Sequence, residues 1–372
     1  MKNQIHLLQL DLYFRDYKFA LLCFITAFLF TLVTIPPIIS LIKKYRLYDV
    51  PNARKLHSSP IPTMGGIAIV GGMMTALSLW LPFTSEIPQV CFFFSITILF
   101  ALGIMDDLKD LSAKYKFVIQ VGIAALIALS GIRITSFDGL FGINELHISA
   151  QYTFTILAIV GITNAFNLID GIDGLAGGLG FMSLVTLGLI LTMSGDTNTA
   201  LIAFALAGAI LAFLYFNFNP ARIFMGDTGS LMLGFVTAVL SIRLLQVNLV
   251  AVKPVLPHAP VFILGIVLIP VFDTLRVFAI RIWNGKSPFA ADRTHIHHLL
   301  TNAGFSHAFA AKLICCLHGF ILIEVYWLRY LKQEWTLAIL LLFMILATKL
   351  LSHLGIFFKK QDSKLPGGRF EY

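Results

Sequence analysis

Four clusters of carboxylates, amides and histidines interrupt a sequence that is otherwise apolar. The first is Asp106-Asp107, followed by Asp110, Lys114 and Lys116. Two adjacent carboxylates at the end of an apolar run repel one another in a low dielectric, so either a cation joins them or one takes up a proton. The plain alternative is a helix end that reaches water. The second cluster places Asn164, Asn167, Asp170 and Asp173 at three-residue steps in Asn-Ala-Phe-Asn-Leu-Ile-Asp-Gly-Ile-Asp-Gly. On a helix this spacing draws a slowly drifting polar stripe. Amides there could read a base or sugar edge, and carboxylates could accept from hydroxyls or reach a metal. A polar seam between helices ending in a Gly-rich turn is the alternative.

The third cluster runs from Asn217, Asn219 and Pro220 into Arg222-Ile223-Phe224-Met225-Gly226-Asp227-Thr228-Gly229-Ser230. A Gly-Asp-Thr-Gly-Ser turn that opens a helix suits an anion or a metal-phosphate pair, because the free backbone N–H groups favour negative charge. Simple N-capping by Asp227 or Thr228 would need no ligand. The fourth cluster is Asp292-Arg293-Thr294-His295-Ile296-His297-His298. With Arg293 and Lys286 in the same stretch, phosphate binding is favoured. Zinc, for which no cysteine is near, and an inert surface loop stay open.

The elements that hold these clusters must be membrane helices. Of 372 residues 58% are hydrophobic and 12% charged, with mean hydropathy +0.86. Soluble domains carry roughly a quarter of their residues charged, so this chain cannot clothe itself in water. Disorder is excluded by the same apolar richness. Apolar runs near 19–42, 64–83, 88–105, 117–132, 151–169, 175–193, 200–216, 229–242, 259–280, 308–328 and 335–358 predict about eleven helical spans in one all-α polytopic domain over residues 1–372. The runs 117–132 and 229–242 are short, and 259–280, with Pro270, Asp273 and Arg276, is expected to break or to run past the membrane. The first run has no cleavage site after it and reads as a retained span. Cys23, Cys91, Cys315 and Cys316 lie in apolar runs without metal spacing and read as packing residues.

Sixteen Lys and Arg fall in one set of alternate loops and eight in the other. The positive-inside rule then puts the N-terminus outside and the C-terminus inside. All four clusters land in inside loops, near 106–117, 164–178, 217–229 and 281–307, and the loop near 43–63 is expected on the same face. A net charge of +8 favours phosphate-bearing partners or an anionic leaflet. Polar chemistry gathered on one membrane face fits a surface enzyme. A secondary transporter or flippase would place ionisable groups near the midplane, where only Asp273, Lys312 and Glu324 do so.

In this order, and with Asp49-Val50-Pro51-Asn52-Ala53-Arg54-Lys55-Leu56-His57 and Pro62-Thr63-Met64-Gly65-Gly66 preceding them, the motifs resemble the polyprenyl-phosphate N-acetylhexosamine-1-phosphate transferases, glycosyltransferase family 4. The resemblance covers about two thirds of the chain. The His-Ile-His-His loop looks like the branch that loads N-acetylglucosamine-1-phosphate onto undecaprenyl phosphate. The muramoyl-pentapeptide branch is also similar, but usually carries three consecutive histidines where Ile296 here interrupts the run.

The resemblance implies transfer from UDP-N-acetylglucosamine to undecaprenyl phosphate with release of UMP, starting a lipid-linked glycan at the cytoplasmic face of a bacterial inner membrane. It implies Mg²⁺, with Mn²⁺ as a substitute, held by Asp227 with Asp107 nearby. Asp106 would accept a proton from, or orient, the lipid phosphate. Asn164, Asn167, Asp170 and Asp173 would line the sugar-nucleotide side. Arg293, His295, His297 and His298 would bind phosphate or sugar oxygens, with His297 counted among the catalytic groups beside Asp106, Asp107 and Asp227. Lys55, Lys114 and Lys116 would attract the lipid head group. No nucleic-acid partner is implied, and a homodimer is the protein partner to be considered.

Overall fold

The computed structural model describes residues 2–45, 48–49, 61–288 and 294–362, with side chains over 17–45, 61–288 and 294–353. Lys55 and Arg293 lie outside the described residues. In chain order the elements are α1 (Lys2–Tyr45), β1 (Tyr48–Asp49), β2 (Ile61–Pro62), α2 (Gly65–Trp80), α3 (Ile87–Lys109), α4 (Ala113–Leu129), α5 (Ile148–Ile169), α6 (Leu175–Met193), α7 (Thr197–Asn217), α8 (Gly226–Val250), α9 (Ala259–Trp283), α10 (Ile296–Asn302), α11 (His307–Trp327) and α12 (Gln333–Asp362). The two short strands pair antiparallel, Tyr48 opposite Pro62 and Asp49 opposite Ile61.

Each of the expected apolar runs falls on a helix. Among the described residues nine helices are long and apolar enough to cross a membrane by length and composition. The remaining two, α2 with 16 residues and α4 with 17, are shorter. The protein is an all-α polytopic membrane protein. All four cysteines are free.

Burial divides the bundle. The most apolar windows of α6, α7 and α8 are 72%, 83% and 83% buried by protein, whereas those of α1 and α12 are 28% buried. The outer helices are therefore apolar because lipid, not protein, covers them. Helix α9 is continuous through Pro270 rather than broken. Proline has no N–H to offer the carbonyl one turn back. That carbonyl, on Ile266, accepts instead from the Ser183 hydroxyl at 2.9 Å, and His318 Nε2 lies 3.1 Å from the same hydroxyl oxygen. In lipid a freed backbone group needs such a partner.

Candidate active site

The C-terminal end of α3, the first turn of α4, the C-terminal end of α5 and the N-terminus of α8 meet at one end of the bundle. Helix α3 continues through Asp106 and Asp107 to Lys109. Asp106 Oδ1 accepts from the Leu111 amide at 2.7 Å and so ties down the α3–α4 turn. Ser112 then caps α4, its hydroxyl accepting from the Tyr115 amide. This register swings Lys116 back over the turn, where its ammonium lies 2.7 Å from Asp106 Oδ2 and 2.8 Å from Asp227 Oδ2.

Asp107 does something different. Its carboxylate accepts from the Asp227 amide at 2.7 Å, the Thr228 amide at 3.2 Å and the Thr228 hydroxyl at 2.6 Å. It therefore caps α8 from a neighbouring helix, in the place where an anion is most favoured. Asp227 is thereby spared the capping role, and its side chain turns to Lys116 and to the Asn167 amide, which donates to Asp227 Oδ1 at 3.1 Å and to Ser230 at 2.9 Å. Close backbone approach holds the junction together. The Gly65 and Gly66 amides donate to Phe224 O and Met225 O, each at 2.9 Å, and a Cβ on Gly66 would stand 2.3 Å from the Gly229 nitrogen. This is a structural reason for the Pro62-Thr63-Met64-Gly65-Gly66 motif.

The second cluster splits where its helix ends. Helix α5 stops at Ile169, so Asn164 and Asn167 share a helical face while Asp170 and Asp173 lie in the turn beyond. The Asn164 amide donates to Gln120 Oε1 at 2.5 Å and to Val160 O at 2.8 Å, a seam between α4 and α5. Gln120, one turn after Lys116, gave no signal in the sequence because a lone amide on an apolar helix has no motif around it. Asp173 accepts from the Asn219 side chain at 3.3 Å and the Ala221 amide at 3.0 Å, joining the two loops. Asn217 reinforces that joint through the Gly174 amide and Ile223 O, both at 2.9 Å.

Asp170 has no hydrogen-bond or ion-pair partner among the described residues. Burial, followed by the negative charges of Asp227, Asp107 and Asp173, raises its carboxyl to about 7. Among the described residues no three His, Cys, Asp or Glu side chains form a ready-made metal cage. Mg²⁺ does not ask for one, since it is commonly held by one or two carboxylates together with substrate phosphates. An unpartnered, desolvated carboxylate within the field of three others fits a cation of this kind.

The histidine loop reaches the same place. His297 Nε2 would stand 2.3 Å from a Cβ on Gly171, so only glycine leaves room for the ring beside Asp170. His297 is 1% exposed. Burial, then His298, lowers its pKa to about 3, so it is a neutral group at physiological pH. The His295 and His297 rings are parallel with centroids 5.8 Å apart. His298 follows on the first turn of α10, its ring 4.3 Å from that of His297. Lys114 is exposed, and among the described residues it makes no ion pair with Asp106 or Asp227. Asp273, an exception to the one-face pattern in the sequence, bonds His295 at 2.9 Å and belongs to this cluster after all.

The sequence profile of Glycosyl transferase family 4 matches residues 89–245, which include Asp106, Asp107, Asn164 to Asp173 and Asp227. A protein of Bacillus subtilis (strain 168) named probable undecaprenyl-phosphate N-acetylglucosaminyl 1-phosphate transferase is 35% identical over 302 residues, covering 80% of this chain and 82% of its own length. Undecaprenyl-phosphate alpha-N-acetylglucosaminyl 1-phosphate transferases of Salmonella typhi and Escherichia coli (strain K12) are 34% and 33% identical, with 78% of each chain covered. The chain belongs to glycosyl transferase family 4.

Proposed function

We propose that this protein transfers N-acetylglucosamine-1-phosphate from UDP-N-acetylglucosamine to undecaprenyl phosphate and releases UMP, with its site on the cytoplasmic face of a bacterial inner membrane. The observation that carries the reading is the Asp106–Lys116–Asp227 arrangement beside the unpartnered Asp170, in a chain of this family. An oxygen of the lipid phosphate forms a new bond to the sugar-linked phosphorus. The bond from that phosphorus to the oxygen shared with the uridine-linked phosphate breaks, and the electron pair leaves on UMP. The anomeric bond is untouched.

Such a transfer asks for position and charge neutralisation rather than a protein nucleophile. Asp227 and Asp170 would hold Mg²⁺, which would supply positive charge to neutralise the phosphates. Asp107, whose oxygens are taken by the α8 N-terminus, fixes where Asp227 stands. Lys116 presents a cation between two carboxylates and can exchange one of them for an incoming phosphate. Asp106, once released from Lys116, can accept the proton of a lipid monophosphate. His297, neutral and buried beside Asp170, offers a hydrogen bond without charge. Lys55 and Arg293 keep the roles implied by resemblance, attracting the lipid head group and binding phosphate.

The test is incubation of purified protein with UDP-N-acetylglucosamine, undecaprenyl phosphate and Mg²⁺. UMP formed in step with lipid-linked N-acetylglucosamine supports the reading, and its absence from a folded preparation rejects it. The muramoyl-pentapeptide donor should be refused, because buried Ile296 interrupts the run of histidines and offers no imidazole at that position.

A further inference from the structure

Asp273 is 1% exposed and sits just past the middle of α9, in an apolar stretch of sequence. A carboxylate there must be neutralised and fully hydrogen-bonded. It is, and every one of its partners leads to the histidine loop. Oδ2 faces His295 Nδ1 at 2.9 Å. Oδ1 accepts from the Ile296 amide at 3.0 Å and from the Arg276 guanidinium at 2.8 Å. Arg276 in turn donates to Thr294 O in a short contact. One carboxylate and one guanidinium thus grip three successive residues, 294 to 296, at the start of α10.

We infer that Asp273 is a positioning residue for this reaction, setting the tautomer and orientation of His295. The inference rests on the reading of the site given above. A carboxylate only accepts, so His295 Nδ1 carries the ring hydrogen and Nε2 is left with its lone pair or a second proton for a ligand. The Ile296 amide, which would otherwise be an unsatisfied donor at the N-terminus of α10, takes Oδ1. His295 stacks on His297, and His297 lies against Gly171. The chain of contact from Asp273 to the turn that carries Asp170 is therefore continuous.

Asp273→Asn separates this role from simple support. Its carboxamide oxygen can still accept from Ile296, but its NH₂ then meets His295 Nδ1, which must accept and move the ring hydrogen to Nε2. Volume and cap survive while the tautomer is inverted. Loss of a residue that orients a functional histidine costs on the order of 10- to 100-fold. The expected result is that Asp273→Asn and His295→Ala each lower kcat/KM for UDP-N-acetylglucosamine by about that factor, with the KM for undecaprenyl phosphate unchanged. The double variant should be no slower than the slower single one, because both changes remove the same oriented nitrogen. Multiplying effects, or full activity in Asp273→Asn, would overturn the inference. If Asp273→Asn does not yield folded protein, Asp273→Ala, which also takes the acceptor away from His295 Nδ1, replaces it in the cycle with the same expectations. Should the wild type release no UMP, the proposed function fails, and the inference is judged by hydrogen exchange. Asp273→Ala should speed exchange of the Ile296 amide at least about tenfold while α5 and α8 are unchanged, and unchanged protection at Ile296 would reject the placement itself.

Discussion

The two ends of the bundle use the same residue types to opposite effect. At the end away from the site, several polar groups close on one another. Asp196 takes Arg243 at 2.7 Å and the Thr199 amide at 3.2 Å, Glu334 takes the Phe141 amide at 3.1 Å, and Asn248 bonds Leu256 through both its oxygen and its nitrogen. At the site end Asp106, Asp107, Asp170, Asp173 and Asp227 crowd together, and among the described residues one ammonium, that of Lys116, bonds any of them. Polar groups that satisfy each other hold loops in place. Carboxylates in excess of their partners need something from outside, and in an apolar bundle that need is a binding function.

The largest effects should expose this contrast. Asp227→Asn removes a carboxylate from the unbalanced end and should lower turnover at least ~10²-fold, the scale of one strong electrostatic stabiliser. Asp196→Asn removes one from the balanced end and should leave turnover within about threefold, since a half-exposed ion pair contributes little. Rates of UMP release for the two variants measure the difference, and equal losses would erase the distinction. EDTA should abolish turnover and Mg²⁺ or Mn²⁺ should restore it.

Asp106 and Asp107 are neighbours in sequence and should part in experiment. Asp106→Asn should lower kcat with the melting temperature little changed. Asp107→Asn should lower the melting temperature through about 1–2 kcal/mol of lost capping as well as turnover, because it loosens the first turn of α8. Thermal unfolding in detergent alongside kinetics separates them.

A smaller effect concerns pH. With its carboxyl raised to about 7, Asp170 carries a proton below that value and Mg²⁺ must displace it. Apparent Mg²⁺ affinity should therefore rise with pH and level off above about 7, falling up to tenfold per unit below it. Asp170→Asn should flatten that limb. An acid limb that stays unchanged in the variant would assign it elsewhere.

How far the site was legible follows from what each residue answers to. Helices were visible because lipid demands long apolar runs, and each expected run does fall on a helix. The polar boundaries were harder. Gly226 to Ser230 reads as a turn by propensity, yet it is the first turn of α8, because a cap supplied by Asp107 from another helix leaves no local trace. The three-residue polar stripe was visible, but not that α5 ends after Ile169 and leaves Asp170 in the turn beyond it, within the field of Asp227. Asp107 was expected at the metal by resemblance, and the geometry moves that role in our proposal to Asp170. The split between neighbouring carboxylates depends on rotation about α3 and on what each meets, which only the packed structure contains. Orientation rests on the sixteen-to-eight charge count. In a background lacking the four native thiols, Asp292→Cys should resist an impermeant thiol reagent added to intact cells, and labelling from outside would invert the topology.

Transfer of a phosphosugar, rather than of a sugar, is what sets this chemistry apart. The direct measurement uses UDP-N-acetylglucosamine labelled at the sugar-linked phosphorus, with undecaprenyl phosphate and Mg²⁺. The label should enter the lipid diphosphate while unlabelled UMP is released. Label recovered in free UDP would mean that the anomeric bond had broken, and would contradict phosphosugar transfer.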